Sequence, residues 1–121
     1  MTPLRSARSL LLAISCLAAA PAFAHDTEGS ASWYGPGFDG RTTANGETFD
    51  QDALTAAHKT LPFGTQVRVT YERTGESVVV RINDHGPYAH GRVIDLSRGA
   101  AAEIGLLGAG VGEVRIEVVE G

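Results

Sequence analysis

Two stretches of the chain keep apolar side chains in a period of two. Val67, Val69 and Tyr71 alternate with Arg68 and Thr70. Val78, Val80 and Ile82 resume the phase after a turn over Glu72 to Glu76 that contains Gly75. A period of two places every other side chain on one face, so the pair predicts a β-hairpin with one buried face. Val114, Ile116 and Val118 predict a last strand within 111–119, and shorter strands are expected over Ser30 to Tyr34 and Val93 to Leu96. Ala53 to His58 reads equally as strand or helix. The one clear helix signal runs from Arg98 to Ile104, with Ser97 as its cap and Gly105 as its terminator. Gly35-Pro36-Gly37 opens a polar, glycine-punctuated loop reaching about Asp50, and Leu61-Pro62-Phe63-Gly64 marks a turn. Many short strands, many turns and little helix predict a mainly β fold, a small barrel that closes its own edges.

The N-terminus follows a different pattern. Arg5 and Arg8 precede an apolar run from Leu10 to Ala20 interrupted only by Ser15, then Pro21 and Ala22-Phe23-Ala24. This is the layout of a cleavable secretory signal over residues 1–24, cut at Ala24/His25, and the run is too short for a spanning helix. Cys16 is the only cysteine, inside Ala13-Ile14-Ser15-Cys16, a partial lipid-attachment box. Cleavage after Ala24 is the preferred expectation; it removes Cys16 and leaves a chain with no thiol and no disulfide. Residues 25–28 are expected to be a mobile lead-in and 29–121 to be one domain.

Charge narrows the partners. The chain has 10 basic and 14 acidic side chains; losing Arg5 and Arg8 leaves eight against fourteen, a net charge near −6. That balance argues against nucleic acid, whose phosphates require clustered Lys and Arg, and against adhesion to anionic membranes. No metal site is expected, because the four histidines show no recognised ligand spacing, and no cofactor is implied.

Acids and bases fall in three places. Glu47 follows the Asn45-Gly46 bend, flanked by Thr43, Asn45 and Thr48; it is either a solvated loop carboxylate or a site residue. His58 follows Ala56-Ala57 and is either a structural histidine or a catalytic one. Asp84 lies two residues after Ile82, so it continues the inward phase of the strand. A carboxylate at the edge of an apolar face must be paired, hydrogen-bonded or raised in pKa, and the last makes a general acid; the alternative is an Asx turn into Gly86-Pro87. Asp95 is a further buried-looking carboxylate, expected to orient the helix that follows. Trp33, Tyr34 and Tyr88 read as exposed aromatics near these acids, as in carbohydrate sites, although core packing also accounts for aromatics in a small domain.

Taken in order, the segments Ala31-Ser32-Trp33-Tyr34-Gly35, Thr43-Ala44-Asn45-Gly46-Glu47 with Phe49-Asp50, Ala56 to Gly64, Val80-Arg81-Ile82-Asn83-Asp84 with Gly86-Pro87, and Gly91 to Ser97 resemble the rare lipoprotein A family, over about residues 29 to 119. Its members are septal-ring lytic transglycosylases and relatives, distantly similar to expansins. The resemblance implies a six-stranded double-psi β-barrel with one or two short helices, acting in the periplasm on peptidoglycan glycan strands poor in stem peptides. It implies endolytic cleavage between N-acetylmuramic acid and N-acetylglucosamine with a 1,6-anhydro product, with Asp84, Glu47 and His58 as catalytic residues. Asp84 is expected to be the acid/base because its surroundings are expected to be the drier. Trp33, Tyr34, Thr43, Asn45, Asn83, His85, Tyr88 and Asp95 are expected to contact the glycan. A non-catalytic, expansin-like wall-binding module is the rival reading. Cell-division or envelope proteins are the other partners to test, and a monomer is expected. The family's Asn-Asp-Arg-Gly-Pro reads Asn83-Asp84-His85-Gly86-Pro87 here. Neither the lipid anchor common in the family nor its C-terminal peptidoglycan-binding repeat domain is expected.

Overall fold

The computed structural model describes residues 27–119. The predicted export signal, with Cys16 and the Ala24/His25 junction, lies outside the described residues. Six strands form a closed barrel: β1 (Glu28–Trp33), β2 (Thr55–His58), β3 (Gln66–Tyr71), β4 (Ser77–Asp84), β5 (Arg92–Leu96) and β6 (Val111–Val119). One helix, α1 (Arg98–Glu103), lies between β5 and β6. Around the barrel the order is β1-β5-β2-β4-β3-β6. The β1/β5 and β2/β4 pairs run parallel and the other four antiparallel. This is the six-stranded, mainly β barrel expected, with one helix among the described residues.

The predicted hairpin is the spine of the core. Val67 pairs with Val80 and Val69 with Val78, and on the other side of β3 Ile116 faces Val69 and Val114 faces Tyr71. Paired residues share a face, so Val78, Val69 and Ile116 form one apolar row across three strands. Each such side chain stabilises the fold by roughly 1.5–3 kcal/mol when fully buried. Val118 departs from the alternation: it stays 47% exposed, near the mouth of the barrel, with only the Gln66–Val119 pair beyond it.

The ambiguous segment is strand β2. All four of its residues are buried, on both faces of a strand that pairs with β4 and β5. A strand covered on both faces loses the alternation that would identify it. The helix forms as expected. Ser97 Oγ accepts from Ala100 N at 3.2 Å and donates to Ala53 O at 2.5 Å, and Gly105 follows the C-cap with φ +79°, a conformation that favours glycine.

Part of the expected lead-in is structural. Glu28 pairs with Arg115 of β6, and Ile116 N donates to Thr27 O at 2.8 Å. The polar sequence hides this because β1 starts on the solvent side of the barrel.

Candidate active site

The site grows from one irregularity in the sheet. β2 runs parallel to β4 with Ala56 opposite Ile82, yet the next residue, Ala57, stands opposite Asp84. Asn83 is therefore an extra residue in β4, a β-bulge. Adjacent residues of β2 face opposite sides, so the bulge turns Asp84 away from the interior face of Ile82. Counting in twos predicts the reverse orientation, and the extra residue is why that expectation fails. Bulges of this kind re-aim side chains beside functional sites.

The same outer row continues across the sheet. Asp84, Ala57, Asp95 and Ser32 are successive cross-strand partners on β4, β2, β5 and β1. With strands about 4.8 Å apart, the two aspartates lie on the order of 10 Å from each other, with the small Ala57 between them. Asp84 is half-buried rather than dry, and of the alternatives open to an edge carboxylate it is hydrogen-bonded. Oδ1 accepts from Ala44 N at 3.0 Å and His85 N at 2.9 Å, and Oδ2 from the Tyr34 hydroxyl at 3.2 Å. Burial, and then the adjacent Asp84, push the Tyr34 phenol far above its usual value, so it stays a donor.

Glu47 arrives on the turn that Asn45-Gly46 predicts. Gly46 takes φ +94°, Thr43 N bonds Glu47 O at 2.8 Å, and Thr42 and Thr48 form an isolated bridge. Thr43 Oγ1 donates to Asn45 Oδ1 at 2.6 Å, and Asn45 Nδ2 donates to Glu47 Oε2 at 2.8 Å. The turn is pinned to β4 from both ends: Ala44 N reaches Asp84, while Arg81 grips Glu47 through Nη1 to Oε2 (2.6 Å) and Nη2 to Oε1 (3.0 Å). Asn83 Nδ2 adds a longer bond to Oε1 at 3.3 Å. These bonds, Arg81's first, then those of Asn45 and Asn83, lower the Glu47 pKa to about 2. Glu47 is thus a fixed anion, not the solvated loop carboxylate of the bland alternative.

The other expected residues divide. Tyr34 and His85 lie beside Asp84, and His85 stacks on Phe63 with centroids 4.6 Å apart. Tyr88 is 82% exposed. Thr43, Asn45 and Asn83 shape and hold Glu47; Thr43 and Asn83 are buried, and Thr43 also lines the recess beside Asp84. His58 is buried too, and its Nδ1 accepts from Thr60 N and Leu61 N, both at 3.1 Å. A ring nitrogen that accepts carries no proton, so His58 fixes the turn after β2 through Nδ1. Trp33 is a correction: it packs against the core instead of standing exposed, because it ends β1 in the row of Leu96. Asp95 is another. It is bound by Arg92 Nη2 (2.8 and 2.9 Å) and Ser32 Oγ (2.6 Å), and the helix is capped by Ser97 instead.

Arg81 is the residue that sequence reading missed. Its signal was present: Arg81 and Asn83 are polar residues two apart in a valine-rich strand, where outward partners for an acid would lie.

A closed six-stranded barrel with two parallel pairs, bearing two carboxylates between one turn and one strand end, defines the class of double-psi β-barrels with an acidic outer site. A family model described as "Lytic transglycolase" matches residues 26–116, and the chain belongs to that family. It is 67% identical over 92 residues to the "Probable endolytic peptidoglycan transglycosylase RlpA" of Synechocystis sp., and 54% identical over 92 residues to the "Endolytic peptidoglycan transglycosylase RlpA" of Campylobacter jejuni. Each alignment covers 76% of this chain but only 29% and 34% of those relatives, so the chain spans about a third of their length. Among solved structures, an apo expansin of Clavibacter michiganensis superposes with TM-score 0.61 at 26% identity, covering 78% of this chain and 50% of that one.

Proposed function

We propose that the chain is an endolytic peptidoglycan lytic transglycosylase acting outside the cytoplasm. It cleaves the β-1,4 bond between N-acetylmuramic acid and N-acetylglucosamine in peptide-poor strands and leaves a 1,6-anhydro end. The observation that carries this reading is the unequal setting of two carboxylates, one on a turn and one at the end of the strand to which that turn is pinned. Glu47 is saturated by Arg81, Asn45 and Asn83 and stays charged at working pH. Asp84 lines an open recess with Tyr34, Phe38 and Phe49. Two carboxyl groups in different surroundings are what acid/base catalysis next to a developing cation requires. The names of the relatives support the same chemistry.

In this mechanism Asp84, as the carboxylic acid, protonates the glycosidic oxygen while the C1–O bond breaks. The resulting carboxylate takes the proton of the muramoyl 6-hydroxyl as O6 attacks C1, so no water is consumed. Attack from within one sugar removes an entropic cost of up to roughly 7–11 kcal/mol in favourable cases. Glu47 stabilises the oxocarbenium-like charge. The reason for this assignment is Arg81, not dryness: a carboxylate clamped by a guanidinium is a poor proton donor. The periplasm, reached through a signal over residues 1–24, belongs to the same proposal.

The test is digestion of peptide-free glycan by purified protein, with products weighed by mass spectrometry. Anhydro-ended fragments are expected, with Asp84→Asn abolishing them. Reducing-end products, or none, overturn the assignment. The expansin likeness favours a second reading, wall binding without cleavage; glycan binding that survives Asp84→Asn, with no cleavage by the unaltered protein, would establish it.

A further inference from the structure

We propose that the recess beside Asp84 is a subsite for a carboxylate carried on the glycan, with Arg41 as the residue that recognises it. The inference rests on the reading of this chain as a glycan-acting protein. The recess is shallow and open, and is lined by Tyr34, Phe38, Arg41, Thr42, Thr43, Phe49 and Asp84. Arg41 is the one cationic side chain in that lining. Elsewhere Arg68, Arg81 and Arg92 are paired with Glu117, Glu47 and Asp95. Arg41 makes no ion pair or side-chain hydrogen bond among the described residues, and its guanidinium sits 5.7 Å from the Phe38 ring centroid. No ion pair joins Arg41 to Asp84, whose oxygens accept from Ala44 N, His85 N and the Tyr34 hydroxyl.

A guanidinium held over an aromatic face beside a small apolar wall suits a ligand group with one methyl and one carboxylate. The wall is Tyr34 with Phe38 and Phe49, centroids 5.6 and 4.8 Å away. The lactyl ether of N-acetylmuramic acid has that composition. Its carboxylate is free only where no peptide is attached; a stem peptide converts it to a neutral amide. Arg41 therefore gives the site a physical means of telling bare strands from substituted ones, next to the proposed acid. A uniformly N-acetylglucosamine chain lacks the group altogether.

The experiment measures affinity without cleavage, using the full chain and a thio-linked, uncleavable tetrasaccharide of alternating N-acetylglucosamine and N-acetylmuramic acid. One form has free lactyl carboxylates and the other has them as methyl amides. The unaltered protein should bind the carboxylate form about fivefold more tightly, a preference that shrinks with added salt. Arg41→Gln should bind both forms alike, at the affinity of the amide, with Arg41→Lys between. Equal affinity for the two forms, binding of neither, or a preference retained in Arg41→Gln overturns the subsite. Failure of the cleavage reading shows separately, as the absence of anhydro products from a protein that still prefers the carboxylate form.

Discussion

Of the three arginine–carboxylate pairs among the described residues, two are built in opposite ways. Arg92 and Asp95 are three residues apart around a single strand, with Asp95 also held by Ser32 of the neighbouring strand and only 13% exposed. Arg81 and Glu47 are 34 positions apart, joining a strand to a loop, with side chains 41% and 37% exposed. The first pair ties β5 to β1 and adds rigidity where the sheet is already regular. The second gives a loop carboxylate a fixed address on the sheet. A local pair on one strand is a structural device; a more exposed pair that spans the fold places a charge where a ligand can meet it.

Removing each arginine should break the comparison in a different way. The largest effect is expected from Arg81→Gln, which leaves Glu47 with two amide partners and no counter-charge. Glycan cleavage should fall by about 100-fold in kcat, while the circular dichroism of the barrel is unchanged. Ionisation follows. In the unaltered protein Glu47 stays charged down to about pH 2, whereas without Arg81 it takes up a proton nearer its ordinary range, so the acid limb of the rate profile should move upward. A carboxyl lowered on folding stabilises the protein above its unfolded value of 4.5 and loses that contribution as pH falls towards about 2. Urea midpoints at pH 6 and pH 3 should therefore diverge more for the unaltered protein than for Arg81→Gln.

Arg92→Gln should do the reverse. Asp95 keeps only Ser32, so stability should drop by about 1–2 kcal/mol in urea unfolding, with glycan cleavage retained. The smallest effect is expected from Ser97→Ala, which belongs to neither pair. Loss of the cap should cost about 1 kcal/mol and leave cleavage unaltered. An Arg92→Gln protein that folds normally but no longer cleaves would place the Arg92–Asp95 pair in the site as well and collapse the distinction.

The same contrast explains what the sequence made legible. Val67, Val69, Val78, Val80 and Ile116 report their orientation through a period of two, and Ser97 with Gly105 marks the helix within a residue. Glu47 and Asp84 are visible because Asn45-Gly46 and the end of an alternating strand are local signals. What local pattern cannot carry is the insertion of Asn83, which turns Asp84 over, or a clamp between residues 47 and 81. Periodicity assumes an unbroken register, and the bulge is where that assumption fails. Trp33 and Asp95 differ from their sequence reading for a related reason: whether an aromatic stands exposed or an acid orients a helix depends on partners on other strands. Family resemblance located the right segments without separating the groups that meet a ligand from those that hold them.

The pairing of β1 with β6 also governs how this molecule comes into being. Glu28 to Ser32 find their antiparallel partners in Val111 to Arg115, at the opposite end of the described chain, and their parallel ones in β5. The β3–β4 hairpin forms from neighbours, but the ring shuts only when the last strand has arrived. Topologies dominated by such distant pairings fold on the order of milliseconds to seconds. Tyr34, which follows β1, reaches Asp84 through the row β1-β5-β2-β4, and the recess beside Asp84 takes no lining residue from β6. Assembly of that recess therefore waits on the distant pairing of β1 with β5, while the last strand closes the core on the opposite side of β1.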